Sequence, residues 1–405
     1  MTRDAGAPRR RARSPLRRVT PLLHRLDHAV ARLTSPRRQV LVELRTPVYH
    51  AVLSPIADAL AADPDIAVWF TGEDPERLRP FVDPARFLTH EQVQWRRFDL
   101  YLNADPWAAA RLRRCARRVN FFHGVAGKYD LDRPTGLPMG FEYYDRVAFI
   151  NRDRQQRYLA AGIVTPQQAV LVGYPKLDRL ATGGYDAPAL RRGLGLDPAR
   201  PTALYAPTYS EASSLHLAGE DITRALARAG FNVIVKLHDR SLDRDPRYHG
   251  GIDWRERFAA LAAATPSAPI CFAEVADASP LLAAADVMVT DHSSIGFEYL
   301  VLDRPLIVYD APDLARVARI NEEKIALLRS AATVVRTAAD VAHAATGAIA
   351  RPDADALSPA RRRVASELFF EPGGATARAV ALLTHLLNPG RSAEPAPQLE
   401  RGVSS

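Results

Sequence analysis

The sequence predicts an α/β protein built from two doubly wound domains in series. Three observations carry this reading. Short apolar runs alternate with stretches of helical periodicity along most of the chain, the pattern of a mostly parallel sheet covered by helices. That alternation starts afresh after a loop around Gly183, Gly184 and Pro188. At 405 residues the chain also exceeds what one hydrophobic core usually serves. A cleft between the two domains is then the default place for a ligand.

The elements follow in order. Residues 39–44 (Gln-Val-Leu-Val-Glu-Leu) read as a strand, 49–62 as a helix and 66–70 as a second strand, giving a βαβ opening. Further strand-like runs lie at 99–103, 119–122, 146–150 and 169–172. In the second half, strands are expected at 203–205, 232–237, 270–272, 287–290, 306–309 and 333–335. Helices are expected there at about 221–229, 279–285, 294–302 and 321–328. A last helix, 376–387, stops at Asn388-Pro389-Gly390. The resulting division is a basic arm (1–38), a first domain (39–182), a second domain (183–388) and a polar tail (389–405) expected to be disordered. There is no repeat of solenoid length.

The formal charge of +8 suggests a polyanion partner until it is located along the chain. Residues 1–40 hold eleven arginines against Asp4 and Asp27, a local charge of +9, so the rest of the chain carries −1. The basic excess belongs to the arm and not to a folded face, and no aromatic residue interleaves with those arginines, so no nucleic-acid partner is expected. Within the arm, Leu22, Leu26, Ala29, Val30 and Leu33 recur at helical spacing beside Arg25 and Arg32. This pattern suits either a helix packed on the domain or a basic amphipathic helix resting on an anionic membrane. Arginine or proline interrupts every apolar stretch of the arm, so export is not expected, and no segment approaches the roughly 20 apolar residues of a membrane span. Cys115 and Cys271 make neither a disulfide framework nor a metal spacing, and a reducing cytoplasm is the expected compartment.

In a doubly wound sheet, ligands bind beyond the carboxyl ends of the strands. Four such places carry polar groups. After residues 287–290 the chain runs into Asp291-His292-Ser293-Ser294 and at once into a helix, whose first-turn amides lack partners and favour a phosphate. Ser293 and Ser294 add hydroxyls, and Glu298, one turn on, can accept from ribose hydroxyls. The same residues also suit a plain cap, with Asp291 or Ser293 as N-cap and Glu298 on the surface. After residues 119–122, His123 emerges with Gly124, which permits close backbone approach, and with Lys128, which can meet phosphate charge. An imidazole there can take a proton from an attacking hydroxyl. Lys236 and His238, two residues apart at a strand end, can point at one phosphate. Thr208, after the turn at Pro207, offers a further hydroxyl.

Taken together, these segments resemble the CDP-glycerol glycerophosphotransferase family. Asp291-His292-Ser293-Ser294, its helix and the following Asp303-Arg304-Pro305 are similar to the family's Asp-Tyr-Ser-Ser segment and its continuation. His123-Gly124 with Lys128 resembles His-Gly-Thr-Pro-Leu-Lys, and Gly173-Tyr174-Pro175-Lys176-Leu177-Asp178 resembles Gly-Tyr-Pro-Arg-x-Asp. Ala206-Pro207-Thr208, Lys236-Leu237-His238 and Gly374 to Arg378 match three further motifs, in family order across residues 118–378. His292, Val125-Ala126, Asp239 and Glu298 depart from the family's residues.

The resemblance implies a GT-B-like architecture, with the donor nucleotide on the second domain and the acceptor approaching from the first. It implies a transferase that moves glycerol phosphate, or a related alditol phosphate, from a CDP-linked donor to a lipid-linked or polymer hydroxyl. The setting would be teichoic-acid-type surface polymer synthesis at the inner face of the membrane. His123 and His238 are the expected catalytic residues; Gly124, Lys128, Thr208, Lys236, Asp291, Ser293, Ser294, Glu298 and Arg378 are the expected substrate contacts. No metal and no cofactor are expected, the activated nucleotide being a substrate. Three alternatives stay open: a glycosyltransferase using a nucleotide sugar, an esterase built on Ser294 with His343 or His385, and a nucleotide-binding protein without chemistry. Walker A and Gly-x-Gly-x-x-Gly motifs are absent.

Overall fold

The computed structural model describes residues 37–105, 114–124, 140–243, 251–266, 268–351 and 355–388. Residues 1–36 of the basic arm, the polar tail and Lys128 lie outside the described residues. Two six-stranded sheets form, and every pairing in them is parallel. The first contains β1 (Arg38–Glu43), β2 (Ile66–Thr71), β3 (Phe98–Asn103), β4 (Cys115–Phe121), β5 (Arg146–Phe149) and β6 (Ala169–Leu171), in the order β2-β1-β3-β4-β5-β6. The second contains β7 (Thr202–Tyr205), β8 (Asn232–Val235), β9 (Ile270–Phe272), β10 (Val287–Thr290), β11 (Leu306–Tyr309) and β12 (Thr333–Val335), in the order β9-β8-β7-β10-β11-β12. Each sheet reverses direction of growth once, between β1 and β3 and between β7 and β10. Ligands of such sheets sit at those reversals.

Burial explains why the strands were readable. All four residues of each of β7, β8, β10 and β11 are buried, so a strand covered by helices on both faces appears as an unbroken apolar run. β4 begins earlier than expected, at Cys115, because Arg117 and Arg118 interrupt the apolar run while the backbone still pairs with β3. The helix expected at 221–229 starts at Ser214. Helices Trp254–Ala263, Ala338–Ala350 and Ser358–Leu368 were not anticipated. The second of these buries only Val341 and Ala345 against its neighbours, which leaves little apolar periodicity to read. Among the described residues, no helix is long and apolar enough to cross a membrane.

The chain ends by returning to its beginning. Helix Ala375–Leu387 packs on helix Pro47–Ala61 and on β3, and Arg38 donates to Asn388 at 2.9 Å. Two of the motifs singled out in the sequence interlock here. Asp178 accepts from the backbone amides of Gly373, Ala375 and Thr376, capping the final helix. Arg378 reaches back to the carbonyl of Val172 at 2.8 Å and also bonds the carbonyls of Phe370 and Glu371. Gly173 lies between them with φ +93°, and a Cβ there would come within 2.6 Å of the Phe370 carbonyl oxygen. Asp303 anchors Ser358, Arg361 and Arg362, while Arg304 donates to the carbonyls of Ala283 and Ala285.

Candidate active site

At the reversal of the first sheet, the residues after β1, β3 and β4 meet. The Nδ1 of His123 lies 2.8 Å from the carbonyl oxygen of Ala104. A carbonyl only accepts, so Nδ1 carries the proton and the Nε2 lone pair is the basic one. The imidazole stacks on Tyr49, with ring centroids 4.8 Å apart. Although the ring is open to solvent, dense surrounding protein desolvates it and lowers its pKa below the ordinary imidazole value, against the opposing pull of the Ala104 bond and Asp105. Asp105 accepts from Arg45 at 2.7 Å and from the Tyr49 hydroxyl at 3.2 Å. Beneath this turn, Asn103 and Tyr144 both donate to the Asp105 carbonyl, and Asn120 donates to Asn103. The Gly124 carbonyl accepts from Arg154 at 2.9 Å.

At the reversal of the second sheet, β7 and β10 are tied together by Asp291. It is fully buried, and its carboxylate accepts from the amides of Thr208, His292 and Ser214 and from the Ser214 hydroxyl. With both oxygens occupied in this way, Asp291 ties the loops after β7 and β10 together. Ser293 is the N-cap of helix Ser294–Tyr299, which continues as a 3-10 turn, Leu300–Leu302. The Ser293 side chain makes no capping bond, and Ser294 is exposed, so both hydroxyls remain available beside the first-turn amides. Thr208 is buried with its hydroxyl unbonded among the described residues, so it too sits behind the surface.

After β8, the amide of Arg240 donates to Nδ1 of His238 at 3.1 Å. That nitrogen is therefore an acceptor, and the proton sits on Nε2. The ring packs on Tyr209, with centroids 4.4 Å apart. Lys236 Nζ donates to the Leu237 carbonyl at 2.8 Å, and desolvation lowers its pKa, with Asp239 opposing and Lys176 reinforcing that shift.

The two sheets meet through a buried ion pair. Lys176 Nζ lies 2.6 Å from Glu298 Oε2, both side chains being less than a tenth exposed. Glu298 is thereby committed to Lys176, and the ribose contact expected of it is not free to form without breaking that pair. Two residues earlier, the Tyr174 hydroxyl donates to the His123 carbonyl at 3.1 Å. The path from His123 through Tyr174 and Lys176 to Glu298 thus leads to the helix that begins at Ser294, with Lys236 in electrostatic range of both Lys176 and Glu298. Arg77 and Asp239 approach to 3.7 Å beside His238. Arg378 donates to the carbonyls described above and to Glu371, and so braces the fold. Sequence reasoning missed Tyr49, Asp105 and Lys176. Tyr49 and Asp105 lie in no recognisable motif, whereas Lys176 lay inside one.

Two all-parallel domains, joined by polar residues from the carboxyl ends of both sheets, form a GT-B-like fold. Residues 144–319 match the family model described as CDP-Glycerol:Poly(glycerophosphate) glycerophosphotransferase. Among solved structures, the wall teichoic acid polymerase TagF in its H548A form has TM-score 0.66 at 14% identity, covering 94% of this chain and 100% of that one. TagF H444N with CDPG has TM-score 0.67 at 14% identity, covering 93% and 99%. The UDP-GlcNAc 2-epimerase of Neisseria meningitidis bound to UDP-GlcNAc has TM-score 0.54 at 13% identity, covering 85% and 99%. At these identities the structural likeness speaks for the fold. Comparison with curated protein sequences gives no match.

Proposed function

We propose that this enzyme transfers glycerol phosphate, or a related alditol phosphate, from a CDP-linked donor to a hydroxyl acceptor in the synthesis of a teichoic-acid-type surface polymer. The observation that carries the reading is the pairing of a basic imidazole nitrogen on one sheet with an amide, hydroxyl and ammonium cluster on the other, joined through Tyr174 and Lys176. The family match supplies the donor class.

In the reaction, the acceptor O–H gives its proton to Nε2 of His123 as its oxygen attacks the β-phosphorus of the donor. The bond between that phosphorus and the bridging oxygen breaks, and CMP departs with the electron pair. Ser293, Ser294 and the first-turn amides of the helix hold the diphosphate, while Lys236 and the Nε2–H of His238 stabilise the charge on the transferring group and on the leaving phosphate. Phosphoryl transfer needs mostly positioning and electrostatics, so no covalent nucleophile is required. The esterase alternative has no support in the geometry: among the described residues neither His343 nor His385 bonds Ser294.

The test is to incubate the purified protein with CDP-glycerol and a panel of UDP- and CDP-sugars, with and without a glycerol-phosphate-primed acceptor, and to identify the released nucleotide. Acceptor-dependent release of CMP supports the proposal. Release of a nucleoside diphosphate means attack at an anomeric carbon and makes the chain a glycosyltransferase. Binding without turnover of any donor makes it a non-catalytic relative.

A further inference from the structure

We propose that Asp105 is a positioning residue for His123: anchored at both ends, it fixes the peptide whose carbonyl holds Nδ1–H, and its carboxylate offsets the imidazolium charge formed when Nε2 takes the acceptor proton. The inference rests on the reading of His123 as the base.

The Ala104 carbonyl that accepts from His123 belongs to the peptide bond leading into Asp105. On the far side of Asp105 its own carbonyl, in the next peptide, accepts from Asn103 and Tyr144, with Asn120 and Tyr144 bracing Asn103 in turn. Asp105 is fixed from the side by its carboxylate, which accepts from Arg45 and Tyr49. Tyr49 closes the circle by stacking on the imidazole. Rotating the peptide would break bonds on both sides of Asp105, so the tautomer of His123 is set by the strand end and not by chance.

The charges facing His123 come from three elements. Asp105 favours the imidazolium, while Arg45, after β1, and Arg154, on helix Arg152–Ala160, disfavour it. Asp105 and Arg45 form one ion pair, with side-chain exposures of 6% and 54%, so the field at His123 depends on the balance between its two halves. This gives the arrangement a signature that a purely architectural role lacks: removing the two halves must move His123 in opposite directions.

The experiment follows the 15N and 1H signals of His123 in protein labelled at histidine and free of substrate, with His123→Gln used for assignment. Asp105→Asn keeps an acceptor for Arg45 and Tyr49 but removes the charge. It should lower the titration midpoint of His123 by about 0.5 to 1 unit. Arg45→Gln, a change at a largely exposed side chain, should raise the midpoint. In turnover, Asp105→Asn should lower kcat by about 10-fold while leaving the KM for the CDP-linked donor near its original value. Equal shifts of the same sign in both variants, or no shift in either, overturn the proposal. The NMR readout does not depend on catalysis. Near-normal turnover in His123→Ala would therefore remove the base assignment, and with it the catalytic meaning of Asp105, even if both midpoints move as expected.

Discussion

His123 and His238 are held in opposite tautomers. The Ala104 carbonyl places the proton of His123 on Nδ1, and the Arg240 amide places that of His238 on Nε2. One imidazole thus offers a lone pair where the other offers an N–H, and each is set by backbone from its own domain. A proton acceptor and an oxyanion donor are what hydroxyl attack on a diphosphate requires.

Replacing His123 with alanine should lower kcat by about 100-fold or more. On the proposed mechanism the neutral ring is the active form, and desolvation by the surrounding protein lowers its pKa, so the acidic limb of kcat/KM should fall below pH 6.5, with activity lost as pH drops through it. That limb should vanish in the alanine variant. Linkage has the same sign: as pH falls from about 6.5 towards the folded pKa, the unfolded chain binds the proton first, and the contribution of His123 to stability declines.

His238→Ala should also lower kcat, by about 100-fold, through lost stabilisation of developing charge. Unlike the His123 variant, it should keep the acidic limb in place. A kcat/KM profile across pH 5 to about 9 distinguishes the two roles.

Breaking the Lys176–Glu298 pair on one side, as Glu298→Gln or Lys176→Met, should destabilise the protein by about 3–5 kcal/mol, because an unpaired charge stays buried. Replacing both by apolar residues of similar volume should recover most of that loss. Urea denaturation of the single and double variants measures it.

Gly173→Ala should cost about 1–3 kcal/mol, because alanine must adopt φ +93° with its methyl group against the Phe370 carbonyl. The loss should be read as a lower Tm, and it should loosen the contact between β6 and the final helix.

The twelve strands overlap the apolar runs, most directly at β7, β8, β10 and β11, where a strand buried on both faces needs an unbroken run and that run is local. The groups at the strand ends were also legible in part. His123, Lys236, His238, Ser293 and Ser294 follow their strands directly, and the rule of ligands at carboxyl ends points to them. The family motifs were harder to interpret. Asp178, Asp303 and Arg378 sit in such motifs yet brace the fold, since a short pattern of charged residues reads alike whether its partner is a ligand or a carbonyl.

By itself, then, the chain determined which segments become strands, that they form two wound sheets, and which polar residues stand at their ends; these depend on neighbours in sequence. Which nitrogen of each histidine bears a proton, that Asp291 is enclosed by four donors, and that Glu298 is claimed by Lys176 from 122 residues away were decided only by tertiary contact. Such pairings depend on where distant backbone and side chains converge, and no local pattern carries that distance.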